Sequence, residues 1–495
     1  MNYVLGIDLG TSSCKVCAIN LSGNLLATSS ANIPTSIPKP GWAEQRCEDW
    51  IPAIIKATKH LLLTNSIPSE KIVGISLSSA AHIAVLLDSK RQPLREAILW
   101  SDQRSLKEVE KLSSLFGDKI LRTTYNAVSP TWSLPQLLWI RRHQPDLWSK
   151  VQNVLFSKDY ISNWLTGEIT TDPATAVSSL LFDANTESWS ETLLQPLGLN
   201  TTHLPQVLPT TAEVGRLSIE AANHLGIPTK IPVINGTLDS AAETYGARVI
   251  TPGQSLLRLA TAGGIQLVLE QPQPHPQLIT YPHPIKPLWY SQAGTNSCTS
   301  ALNWVFQTIG SEKPPLFETW DESIKSIPPG TEGLFFHPYL SGERCPYWDG
   351  KLRASFTGAT FKHSPSHFVR AAYEGIAFSL RDAFTILEKL GNSGGEITAV
   401  GGGTAGTLWT QIICDVIGKP LKVSHKVDSS YGAALLGLAG ISGKGNITDL
   451  ISKLPQQVKI LYPDPEKTEL YSNLFQQYKE IQHNLQPIYH QMKNT

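Results

Sequence analysis

The chain has 495 residues, 41% of them hydrophobic and only 17% charged, and its 41 Lys and Arg are balanced by 41 Asp and Glu. Zero formal charge excludes bulk electrostatic attraction to nucleic acid or to an anionic membrane surface as the basis of function. No run of about 18 apolar residues offers a transmembrane helix, and 6 cysteines are too sparse for a disulfide scaffold.

The length sets a prior of about three domains, with two large ones equally compatible. Asp8 stands where the apolar stretch of a secretory signal would run, so a cytosolic enzyme is expected. Residues 3–7 form an apolar run stopped by Asp8, Gly10 and Thr11, which reads as a buried strand and a tight turn. Residues 14–19 and 25–33 read as two more strands across the Ser22-Gly23-Asn24 turn. A helix is expected over 48–63, then strands at 72–77 and 83–88, which is α/β patterning with a hairpin sheet at the front. Residues 102–200 are mainly helical by period. Residues 233–236 read as a short strand entering a turn, and 239–247 as the start of a helix. Residues 256–269 repeat the strand, small-residue turn and strand of residues 3–19, so the two halves are expected to share an architecture. The proline-rich stretch 271–287 reads as an irregular surface excursion. Helices follow at 297–309 and 366–390, then a strand at 397–400, a glycine turn at 401–403 and helices at 407–418 and 431–441. A polar tail of helical period lies near 465–490.

Several clusters carry chemistry. In Gly6-Ile7-Asp8-Leu9-Gly10-Thr11-Ser12-Ser13 a strand delivers a carboxylate to its end, Gly10 permits close backbone approach, and Thr11 and Ser12 add hydroxyl donors. Phosphate needs converging donors, and a Mg²⁺ shell needs a carboxylate that reaches its waters. An ordinary hairpin turn uses the same residue types. In Asn235-Gly236-Thr237-Leu238-Asp239-Ser240, Ser240 and Glu243 have capping-box spacing. Asp239 would then project from a helix start, either as a general base for a hydroxyl or as a mere support for the cap. Gly401-Gly402-Gly403-Thr404-Ala405-Gly406 spells a dinucleotide fingerprint between strand and helix, but the acidic residue expected about 20 positions on is not clean. Its glycines equally suit a flat base, a phosphate chain or tight strand–helix packing. His82, with Asp102, Gln103 and Arg104 downstream, suits a polyhydroxy ligand, although a lone His is more often structural. Cys14 and Cys17 lie three apart in an expected strand, which sends them to opposite faces, so they read as core cysteines rather than a zinc pair.

In this order the motifs resemble those of the FGGY family of carbohydrate kinases, within the actin-like ATPase superfamily. The resemblance covers nearly the whole chain and is strongest to the xylulokinases. It implies two ribonuclease-H-like α/β domains, 1–247 and 248–495, with a cleft between them. It implies ATP and Mg²⁺, a small sugar as substrate, no nucleic-acid or membrane partner, a cytoplasmic setting and a possible homodimer. By resemblance, Asp239 is the general base, and Ala81, His82, Asp102, Asp239 and Ser240 face the sugar. Asp8 serves Mg²⁺ through water, while Gly10, Thr11, Ser12, Thr261 and Gly263 serve the phosphates. Gly402, Gly403 and Ala405 serve adenosine. The implied reaction is phosphorylation of a ketopentose at its terminal hydroxyl, most like D-xylulose, with D-ribulose, L-ribulose and gluconate as alternatives. The departures are Ala80-Ala81 where xylulokinases have Gln-Met, Ser101 for Asn, Gln136 for Lys and Ala262 for Ser. An NAD-dependent oxidoreductase built on residues 401–406 and a sensor without turnover are the readings from other classes.

Overall fold

Strand β1 (Tyr3–Leu9) runs antiparallel to β2 (Ser13–Asn20), which pairs with β3 (Leu25–Asn32). These come from a computed structural model that describes residues 1–309, 317–391, 394–424, 426–443, 447–454 and 458–492. Helix α1 (Trp50–Thr64) lays Ile54, Ala57 and Leu61 on this hairpin and returns the chain to β4 (Ile72–Ser79), parallel to β1. β5 (Ala84–Leu87) pairs with β6 (Asn153–Phe156), which leads directly into α2 (Ser157–Thr166). β7 (Glu213–Arg216) and β8 (Pro232–Leu238) complete a six-stranded sheet of order β7-β8-β4-β1-β2-β3. β8 is parallel to β4 and passes straight into α3 (Asp239–Gly246).

The second half repeats the plan. β9 (Ser255–Leu259) and β10 (Gly263–Leu269) form the hairpin, and β11 (Ile279–Pro282) and β12 (Trp289–Gly294) extend it. The long helix α4 (Pro365–Glu388) leads to β13 (Ile397–Val400), parallel to β9. Then come α5 (Thr407–Ile417), β14 (Leu421–Val423), α6 (Ser429–Ile441), β15 (Lys459–Leu461) and α7 (Pro465–Gln491). The sheet order is β11-β12-β10-β9-β13-β14-β15. In both halves an antiparallel hairpin adjoins parallel strands reached by helical crossovers, as the sequence echo leads one to expect.

Helix α6 departs from a simple two-body picture. It follows β14 in the second half, yet it packs on β1, β4 and α3 of the first. It is buried almost all round, so it is a core helix and not an amphipathic one. The approach is close enough to demand glycine: a Cβ on Gly6 would stand 2.0 Å from the Ser430 carbonyl oxygen, and one on Gly432 1.8 Å from that of Ala242.

One sequence expectation needs revision and two gain detail. The strand expected at 83–88 is present as β5 and lies outside the main sheet, paired with β6 and bridged at Leu87 to Pro93. The excursion at 271–287 contains β11, whose Thr280 and Tyr281 are buried. Proline is admitted there because β11 is an edge strand; its Thr280 backbone finds partners in the Asn126 side chain, at 2.8 and 2.9 Å. Residues 102–200 mix helices with short strand pairs such as Phe182–Asp183 against Ser188–Trp189. The polar tail is well anchored, since α7 buries Tyr471, Phe475 and Tyr478, spaced four and three apart. Cys14 and Cys17 occupy different core clusters on opposite faces of the first sheet.

Candidate active site

The parallel strands of both sheets end on sequence-predicted residues, and ligands of open α/β sheets bind outside such carboxyl ends. Asp8 and residues 10–12 lie at the end of β1, residues 80–82 at the end of β4, and Asp239 at the end of β8. From the second half come Thr261, Ala262 and Gly263 after β9, and residues 401–405 after β13.

Asp8 and Asp239 anchor the centre. Asp8 lies opposite Ser78 on β4, whose hydroxyl donates to its Oδ1 at 2.8 Å. Its carboxyl is pushed up to about 7, first by burial and then by the neighbouring Asp239, with Asp428 adding to this and the Ser78 bond opposing it. Asp239 opens α3, and its Oδ1 accepts the Ser240 N–H at 2.7 Å. Arg258 of β9 reaches over from the other half: its Nη1 lies 3.7 Å from Asp239 Oδ2 and its Nε 3.4 Å from Glu243 Oε2. Glu243 sits one turn beyond Asp239, and burial pushes it to about 7 despite Arg258. The carboxylates raise Arg258 above its ordinary value. Lys15 and Asp428 close the rim with an ion pair at 2.6 Å. Asp428 also caps α6 by accepting the Tyr431 N–H at 2.9 Å.

This donor set fits a magnesium ion that keeps most of its waters. Among the described residues no group of three or more His, Cys, Asp or Glu is arranged to hold a metal. Mg²⁺ needs only one or two carboxylates when phosphates supply the rest. A carboxyl driven up to about 7 by burial and like charge is one that a divalent cation would relieve.

The two hairpin tips expected to serve phosphates differ in what they leave open. Thr11 and Ser12 lie at the tip of the β1–β2 hairpin, half-buried and exposed respectively, with the Thr11 carbonyl held by Gln45 Nε2 at 2.5 Å. The Gly10 N–H is used by the Ser13 carbonyl at 3.1 Å. Thr261 is exposed at the equivalent tip, and its carbonyl is held by Ser300 Oγ at 2.8 Å. The Gly263 N–H is taken by Thr295 Oγ1 at 3.2 Å, and its Cα packs where a side chain would collide with Thr295 and Cys298.

At 401–405 the glycines divide in the same way. Gly401 takes a positive φ of 94°, and its missing Cβ would stand 2.6 Å from the Leu259 carbonyl oxygen. Gly403 is buried against Trp409. Gly402 has nothing within 4 Å of an added Cβ, and Ala405 is exposed beside it. So one face of the turn packs and the other stays open to a flat ligand.

At the end of β4, His82 adopts a positive φ of 69° and is almost fully buried. Its Nδ1 is 2.8 Å from the Ser178 carbonyl oxygen and its Nε2 is 3.0 Å from Tyr281 Oη. A carbonyl only accepts, so Nδ1 carries the proton and Nε2 accepts from the tyrosine. Burial lowers this imidazole to about 4. Trp132 meets it edge-on at 4.3 Å. Ala81 packs half-buried in the same interdomain cluster. Ser240 points its hydroxyl to Tyr290 Oη at 2.9 Å instead of closing a capping box, so the helix starts at Asp239 without that box. Asp102 is fully buried and occupied on both oxygens: Ala43 N at 2.6 Å and Arg104 Nη2 at 2.7 Å on Oδ2, and Arg104 N at 2.8 Å on Oδ1. Arg104 in turn pairs with Glu44 at 2.6 Å and lies 3.8 Å over Trp42.

Residues the sequence reading passed over also line this centre. Arg258 is the most telling, and its signal was an arginine inside the apolar strand Ser-Leu-Leu-Arg-Leu. Arg344, 5.5 Å over the Trp100 ring, joins the halves at a second point and has no comparable signal.

Residues 3–246 match the model for the N-terminal domain of the FGGY family of carbohydrate kinases, and residues 261–441 match that for its C-terminal domain. The chain is 32% identical to a xylulose kinase of Lactococcus lactis subsp. lactis, over 99% of both chains. It superposes on a xyloylose kinase from Brucella ovis with a TM-score of 0.90 at 30% identity, covering 98% of this chain and 100% of that one. A gluconate kinase from Lactobacillus acidophilus gives a TM-score of 0.90 at 27% identity, covering 98% of each chain.

Proposed function

We propose that this chain, which belongs to the FGGY family of carbohydrate kinases and is therefore an ATP-dependent sugar phosphotransferase, phosphorylates the terminal hydroxyl of D-xylulose to give D-xylulose 5-phosphate. The observation that carries the chemistry is Asp239, delivered by β8 to a helix start beside Asp8 and met there by Arg258 from the opposite half. That carboxylate accepts the proton of the sugar hydroxyl as its oxygen attacks the γ-phosphorus in line. The new O–P bond forms as the bond to the β,γ-bridging oxygen breaks and ADP leaves. Mg²⁺, when bound, offsets charge on the phosphate oxygens, and Asp8 is the residue to hold it through water. Residues 10–12, Thr261 and Ala262 face the phosphates with Gly263 packed behind them, and Gly402 and Ala405 face the adenosine with Gly403 packed behind them on Trp409. Ala81, His82, Asp102 and Ser240 shape the sugar side, His82 and Ser240 as ordered groups fixed by Tyr281 and Tyr290. We take the halves to divide at 247/248 and to close on ligand, which keeps water from competing as acceptor.

D-Xylulose is supported by the full-length similarity to xylulose kinases. Gluconate is the second reading, because a gluconate kinase superposes equally well and Ala81 stands where the xylulokinase pattern has the larger Met. ADP release from Mg-ATP, measured with D-xylulose, D-ribulose, L-ribulose, glycerol and D-gluconate, separates them. D-Xylulose is expected to give the highest kcat/KM, with Asp239→Ala binding sugar normally and losing turnover by about 100-fold or more. A higher kcat/KM for gluconate overturns the sugar assignment. No sugar above the Asp239→Ala blank overturns the D-xylulose assignment and points to a sugar outside this panel or to a sensor.

A further inference from the structure

The first turn of α2 is built around a lysine with no outlet to solvent. Lys158 is buried, and its Nζ lies 3.0 Å from Asn235 Oδ1, 3.1 Å from Asp159 Oδ1 and 3.6 Å from Asp172 Oδ1. Phosphoryl transfer as described above does not use it. Burying such groups costs several kcal/mol per ion before their contacts offset it.

Asp159 closes the start of α2 by accepting the Phe156 N–H at 3.3 Å, and the other two contacts lead toward the site. Asn235 donates from Nδ2 to the carbonyls of Thr171, Leu208 and Pro209, at 2.9, 3.0 and 3.2 Å. Asp172 accepts from Thr237 Oγ1 at 2.6 Å. Asn235 and Thr237 flank Gly236, whose φ is +72° and where β8 slips its register against β4. A Cβ on Gly236 would stand 1.8 Å from the Leu77 carbonyl oxygen, so this bulge is held tightly from below. Asp239 follows two residues after Thr237. From the same helical turn, Ser157 Oγ lies 2.9 Å from Ser79 Oγ and donates to the Ala80 carbonyl at 3.1 Å. Ala80 leads directly into Ala81 and His82.

We infer that the first turn of α2 positions the acceptor side of the site: Lys158, through Asn235 and Thr237, sets the bulged end of β8 that carries Asp239, and Ser157 sets the loop that carries Ala81 and His82. The inference rests on Asp239 being the proton acceptor. One short turn thereby fixes base and sugar loop relative to each other, and a displacement of about 1 Å at such a centre costs on the order of 100-fold in rate.

The test compares Lys158→Met, Thr237→Val, Ser157→Ala and Asp239→Asn by steady-state kinetics, calorimetric sugar binding and thermal melting. Lys158→Met and Thr237→Val are expected to lower kcat by about 10- to 100-fold while KM for Mg-ATP and the Kd for sugar stay near wild type. Ser157→Ala is expected to raise sugar KM with little change in kcat. If Lys158→Met does not fold, Thr237→Val, which removes one hydroxyl and keeps the shape, decides the matter alone. A wild-type kcat in the folded Lys158 or Thr237 variant, with only the melting temperature lowered, overturns the positioning role. An inactive Asp239→Asn beside that result leaves the base assignment standing, whereas an active Asp239→Asn removes the base assignment and this inference together.

Discussion

His82 enters the site as a neutral ring locked between Ser178 and Tyr281. Burial lowers it to about 4 from an ordinary 6.5, and His283 and His337 are lowered to about 4 for the same reason. Between those values the unfolded chain binds protons that the folded one refuses, so stability falls as pH drops from about 6.5 to 4. Each histidine contributes up to about 1.4 kcal/mol per pH unit across that window. His82→Gln is expected to make the pH dependence of unfolding shallower by one proton, as read from urea denaturation at pH 4.5, 5.5 and 6.5. An unchanged slope would show that His82 does not titrate in this way. The same residue shows what a sequence can and cannot tell. That His82 follows a strand was legible, because a β run ended just before it. Its partner lies 199 residues away on an edge strand, and no local pattern encodes that. Asp102 was legible as a loop carboxylate but not as the buried clamp on Arg104.

At the scale of elements, the helix–sheet contacts of α6 set the tolerance of the fold. Gly432→Ala places a methyl 1.8 Å from the Ala242 carbonyl oxygen, backbone that cannot give way without parting α6 from α3. Such overpacking costs about 3 kcal/mol or more, and because α3 begins with Asp239, kcat should fall with the melting temperature. Gly117, inside the helix Leu106–Thr124, meets nothing within 4 Å. Gly117→Ala should stabilise by about 0.5–1 kcal/mol through helix propensity alone and leave kinetics untouched. Equal effects from the two substitutions would refute the packing argument. Sequence period located α6 well, since Leu435, Leu436 and Leu438 leave little choice. It gave no hint that the helix serves the sheet of the other half, because an all-round apolar helix has no face to read.

For the molecule as a whole, the repeated plan was visible as a pattern, strand, small-residue turn and strand at 3–19 and again at 256–269, and the two sheets carry it out. The link between halves was not visible, since besides the faceless α6 it rests on single long-range contacts such as Tyr281 on His82, Arg344 over Trp100 and Arg258 beside Asp239. Tyr281→Phe leaves His82 Nε2 buried without a donor, a loss of about 1–3 kcal/mol. It should raise sugar KM while KM for ATP holds, and unchanged values for both would deny Tyr281 a part in the sugar side. A last consequence concerns birth rather than catalysis. The face of the first sheet that α6 covers, with Val4, Cys17 and Ile19, is complete when residue 246 leaves the ribosome, but its cover is residues 429–441. At roughly 5–20 residues per second the nascent chain waits on the order of 10–40 s with that apolar face bare. The first half thus depends on the second during synthesis, and a chain stopped near residue 247 is expected to aggregate or be held by chaperones.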